Sequence, residues 1–150
     1  MAATFSSGLL VKLALGVLEY EGKMSATIME LKPNDRICQD AEPIALIYRS
    51  MGTKVAEEVV SRALTELTLS MANMAEQVEG KDLLNLARRL RRLERMATQL
   101  GLVSLSRVAI DVRNCLEAED VTAFSAVWAR LLRVAKRSLA AESGALDQQI

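Results

Sequence analysis

The sequence predicts an all-α protein, and three observations carry that expectation. Apolar residues recur at three- and four-residue steps through most of the chain after residue 40, which places them on one side of successive helices. Aromatic residues make up only 3% of the 150 residues against 51% hydrophobic residues, so the core must be built from Leu, Val, Ala and Met. The connections between the last four periodic segments are only a few residues long. Short connections force neighbouring helices antiparallel, so the expected architecture is an up-down four-helix bundle preceded by a short leading helix and an N-terminal extension.

The chain divides into residues 1–39, an extension that packs on or precedes the bundle, and residues 40–150, the bundle itself. Within the extension, Leu9 to Tyr20 alternates like a strand yet also fits a helix. With Ser25 to Leu31 it reads equally as a small hairpin or a short amphipathic helix. The apolar run Leu9–Leu18 is interrupted by Lys12 and is too short to span a bilayer. It also lacks the basic start and small-residue cleavage site of a signal peptide. Lys32-Pro33-Asn34-Asp35 is a turn signal.

Pro43 suits the first turn of a helix, and Ile44, Ile47, Tyr48 and Met51 then share a face before Gly52 stops it. Thr53 is an N-cap candidate for a long helix reaching about Val78, with the stripe Val55, Val59, Ala63, Leu67, Met71, Met74 and Val78. At about 26 residues that helix is roughly 39 Å long. After Gly80, Asp82 is a capping candidate for the third helix. Leu86, Leu90, Leu93, Ala97 and Leu100 form its stripe, and Gly101 supplies the left-handed position at which helices often stop. Ser104 is the cap candidate of the fourth helix, striped by Leu105, Val108, Val112, Cys115 and Leu116. Asp120 is the cap candidate of the fifth, whose core face is Phe124, Val127, Leu131, Ala135 and Leu139, with Val134 beside it and Trp128 at its margin. Gly144 is expected to end that helix.

Composition excludes whole classes of chemistry. The chain has no histidine, which removes Ser-His-Asp and Cys-His catalysis, His-ligated metals and phosphohistidine. Its glycines are scattered singly, so there is no phosphate-cradling loop. Cys38 and Cys115 fit no metal or redox spacing and read as reduced thiols of a cytoplasmic protein. Lysine plus arginine equals aspartate plus glutamate at 19 each, so only a local patch could attract a charged partner.

The third helix carries such a patch. Arg88, Arg89, Arg91, Arg92 and Arg95 fall within eight residues, turned away from the apolar stripe. Glu94 inside the run, the zero net charge and the lack of interleaved aromatics argue against nucleic acid. On a solvated face, Glu94 would pair with Arg91 by helical spacing. Glu57-Glu58 and Glu117, Glu119 and Asp120 read as solvated turn or helix-start carboxylates rather than a catalytic pair.

The segment from about Asp40 to Ala141 resembles a histidine phosphotransfer domain, the helical relay module of bacterial two-component signalling. The likeness consists of a short leading helix, a long helix, a helix ending in Leu100-Gly101, and two closing helices separated by the acidic turn Glu119-Asp120. In that family the acceptor helix carries His-x-x-Lys-Gly, then small residues, then Leu-Gly. Alignment on Leu100-Gly101 puts Arg91 at the acceptor, Glu94 at the lysine and Arg95 at the glycine. Met96, Ala97 and Thr98 then fall on the small-residue run.

A guanidinium has no lone pair to accept a phosphoryl group. The resemblance therefore implies a catalytically degenerate member, not an enzyme, with no cofactor or metal. It would dock a response-regulator receiver domain or a histidine-kinase-like protein through Arg88, Arg91, Glu94, Arg95 and Thr98. The other reading of the same residues is a structural or oligomeric helical protein, of which a homodimer is the simplest form, with a merely solvated arginine face. Neither reading involves nucleic acid or a membrane.

Overall fold

A computed structural model describes residues 32–147; the alternative readings of Leu9–Leu31 and the last three residues lie outside that range. The described residues form five helices and no strand: α1 (Glu42–Met51), α2 (Thr53–Glu79), α3 (Leu86–Gln99), α4 (Val103–Glu117) and α5 (Val121–Asp147). Each sequential pair of helices is in contact, and α2 also touches α5, so the four longer helices close around one core. The tightest packing is of α4 against α3 and α5.

The helix order follows the apolar periodicity. All five stripe residues of α3 are buried, from Leu86 to Leu100. They pack with Leu67, Met71 and Met74 of α2, Leu105, Val108 and Val112 of α4, and Leu131, Val134 and Ala135 of α5. α1 differs, because none of its residues is fully buried. It lays Ile44, Ile47 and Tyr48 half-buried against the core. Burial there, with the Glu57 carboxylate nearby, pushes the Tyr48 phenol above its ordinary value.

The predicted stripe of α2 is wrong in its first half. Val55 and Val59 are exposed, and Ala56, Val60 and Leu64 occupy the core instead. The reason is geometric. Four-residue steps advance about 40° past a full turn, so a stripe of consecutive fours walks off the buried side. The observed core residues Ala56, Val60, Leu64, Leu67, Met71 and Met74 mix steps of three and four and stay on it.

Helix ends bring further corrections. Gly52, at φ +78° and ψ 160°, precedes α2, and Thr53 is the first helical residue without a side-chain cap. Asp82 does not cap α3; its Oδ1 accepts from the Leu84 N–H in the preceding turn, and Asn85 enters the helix at φ +63°. Ser104 lies inside α4, with Leu102 at the cap position. Asp120 behaves as expected, its Oδ1 accepting the Ala123 N–H at 3.0 Å. Gly144 does not end α5, which continues to Asp147. Glycine weakens a helix by about 1 kcal/mol without forbidding it. Trp128 is buried rather than marginal, 8% exposed, and stacks on Phe124 at 6.1 Å between ring centroids.

Ahead of α1, residues 32–40 form an irregular strap held by residues distant in sequence. The Asp40 N–H donates to the Gly101 carbonyl at 2.8 Å. Cys38 exchanges bonds with Ser104: its N–H donates to Ser104 Oγ at 2.7 Å, and its carbonyl accepts the Ser104 N–H at 3.1 Å. Ser104 therefore serves the strap, which is why it does not cap its own helix.

Candidate functional site

The arginines of α3 lie where the apolar stripe requires, on the side away from Leu90 and Leu93. Arg88, Arg89, Arg91, Arg92 and Arg95 are all exposed, and so is Thr98, while Glu94 is half-buried. The five expected docking residues therefore split into two sets. Arg88, Arg91 and Arg95 form an outward ridge, whereas Glu94 and Thr98 turn toward α4.

The pairing of Glu94 with Arg91 expected on a solvated face does not form. Glu94 Oε2 instead accepts from Arg113 Nη1 of α4 at 2.8 Å, with both side chains largely shielded (21% and 28% exposed). Arg113 also approaches Glu117 at 3.8 Å, and Glu117 lies 3.5 Å from Arg91 Nη2. Thr98 Oγ1 donates to the Glu94 carbonyl at 2.8 Å and lies 2.9 Å from Ser106 Oγ of α4. These links step in opposite directions along the two helices, so α3 and α4 run antiparallel. They make a polar seam: Glu94 holds α4 in register, and Arg91 ends a chain of alternating charges.

Arg92 pairs with Glu66 and fastens α3 to α2 on its other side. Arg88, Arg89 and Arg95 pair with no carboxylate among the described residues. Arg91 is 62% exposed and, among the described residues, is held only by its long contact to Glu117. An exposed pair of this kind contributes less than about 1 kcal/mol, so Arg91 is available to a competing carboxylate.

Arg113 was not legible as a site residue. Its only local signal is the four-residue spacing to Glu117, and the pairing with Glu94 needs the helix crossing. Glu117 and Asp120, read as solvated turn or helix-start carboxylates, are both exposed; Asp120 caps α5 as that reading has it, and Glu117 in addition joins the seam. Both cysteines are free thiols. Among the described residues no cluster of three potential metal-ligating side chains occurs, and no helix is long and apolar enough to cross a membrane.

No family model matches this chain, and no curated protein or solved structure does either.

Proposed function

We propose that this protein is a non-catalytic docking module of a cytoplasmic phosphorelay, a degenerate histidine phosphotransfer domain whose four longer helices form an antiparallel bundle. The observation that carries the reading is the ridge of α3. Arg91, which the alignment on Leu100-Gly101 sets against the family's acceptor, is exposed and loosely held, with Arg88 and Arg95 one turn to either side. Receiver domains gather acidic side chains around their phosphorylatable aspartate. A guanidinium entering that cluster would form charge-assisted, bidentate bonds where an imidazole would have reacted. Glu94 and Thr98 support the ridge by fixing α3 against α4 rather than by reaching the partner.

Calorimetric titration against receiver domains and histidine-kinase-like proteins of the source organism tests this. The wild-type chain binds one of them, and Arg91→Glu with Arg95→Glu weakens that affinity by about tenfold or more. Unchanged binding by the double variant would sink the proposal.

A second reading, a self-associating helical protein, is favoured by a separate observation. Leu46, Met51 and Val55 lie around the α1–α2 junction and are 60%, 51% and 50% exposed. Sedimentation over a range of protein concentrations separates the two: a stable dimer that dissociates on Val55→Glu supports self-association, and a monomer throughout supports docking.

A further inference from the structure

A second concentration of positive charge among the described residues lies on α5. From Val121 to Ala141 the sequence contains Arg130, Arg133, Lys136 and Arg137 and no acidic residue. Spacings of three and four place Arg130, Arg133 and Arg137 on one side of the helix, with Lys136 beside them. The strap crosses this side. Asp35 is its anchor, its carboxylate accepting from Arg133 Nε at 2.9 Å and lying 3.4 Å from Arg130 Nε. Arg137 Nη1 donates to the Asp35 carbonyl at 2.6 Å.

Strap and helix together border an open cleft of about 480 Å³, lined by Lys32, Pro33, Asp35, Arg133, Lys136, Arg137 and Ala140. That is the size of a small-ligand site. The lining thus holds four cations and one carboxylate. A latch for the strap needs only one or two of them. Lys32 and Lys136 pair with no carboxylate among the described residues and stand exposed at the rim. Like charges held together repel, and in a chain with zero net charge their segregation is local rather than a consequence of overall composition.

We infer that this cleft binds a compact multivalent anion of the phosphate class, with Lys32 and Lys136 as its primary contacts and the Asp35-anchored guanidinium of Arg133 behind them. Two ammonium groups supply movable point charges, and Arg133 and Arg137 are pre-positioned by the strap, so little ordering remains to be done on binding. The inference is independent of α3 docking, because it concerns another helix and a different class of ligand.

Calorimetry of the full chain with sodium pyrophosphate at 150 mM salt tests it. Saturable single-site binding is expected. Lys32→Glu with Lys136→Glu, which leaves the Asp35 anchor in place, weakens it by about tenfold or more. Lys54→Glu with Arg62→Glu on α2 makes the same charge change elsewhere and leaves it within about twofold. The fluorescence of the buried Trp128 verifies that each variant is folded. Three results would overturn the assignment: no saturable binding, equal weakening in both double variants, or binding to phosphatidylcholine–phosphatidylserine vesicles without binding to pyrophosphate.

Discussion

Gly101 carries two constraints that a side chain cannot meet together. Its φ of +71° is left-handed, and a Cβ there would lie 1.9 Å from the Asp40 carbonyl oxygen. The strap's backbone bond to Gly101 is the cause of that close approach. Gly101→Ala is therefore expected to destabilise by about 3 kcal/mol, from left-handed strain of about 1–2 and forced displacement of the strap. Urea denaturation followed by Trp128 fluorescence measures it. Gly144 is the opposite case. It stands inside α5 with open space around its Cα, so Gly144→Ala should stabilise by about 0.5–1 kcal/mol in the same assay. Both glycines were read from sequence as helix stops. Only Gly101 is one, because only there does another segment dictate the backbone.

Among the elements, the strap has the clearest pH signature. The bond from Arg133 holds the Asp35 carboxyl below its ordinary value, helped by the charges of Arg133, Arg130 and Arg137 and opposed by its partial burial. A carboxyl lowered by folding stabilises the native state in full above its unfolded value of about 3.9. That contribution is lost as pH falls through the folded value. Asp35→Asn should cost about 1 kcal/mol at pH 7, a figure discounted for the solvent around the pair, and should flatten the acid limb of a stability profile. Glu142 acts in the opposite sense, since burial raises its carboxyl and acid relieves that cost. Thermal unfolding midpoints from pH 2.5 to 7 test the difference between variant and wild type. α2 shows why one element's core face was misread. Val55 and Val59 are more apolar than Ala56, but the face is set by Leu67, Met71 and Met74 further along the helix.

At the scale of the molecule, the core is continuous through α2, α3, α4 and α5, with Trp128 inside it. Leu90 is fully buried among these helices. Leu90→Ala should lower stability by about 2–5 kcal/mol through lost burial and a residual cavity. If the bundle unfolds as one unit, Trp128 fluorescence and far-ultraviolet circular dichroism will give coincident transitions in wild type and variant. Separated transitions would show that α1 and the strap unfold apart from the core. Charge is arranged at this scale as well. Glu94 and Glu66 are drawn into interhelical pairs with Arg113 and Arg92. This leaves an arginine ridge on α3 and a lysine- and arginine-lined cleft on α5, in a chain whose charges sum to zero.

The sequence by itself determined the helical class, the order and approximate limits of the five helices, the buried stripe of α3 and the absence of histidine chemistry. Those are properties of local periodicity and residue identity, which no packing can alter. The tertiary structure decided which side of α2 faces inward, what Ser104 and Gly101 are for, that Glu94 answers Arg113 rather than Arg91, and that Asp35 gathers the cations of α5 into a cleft. Each of these depends on segments distant along the chain, brought together by burial of apolar surface. Local spacing carries no record of such partners until the helices have packed.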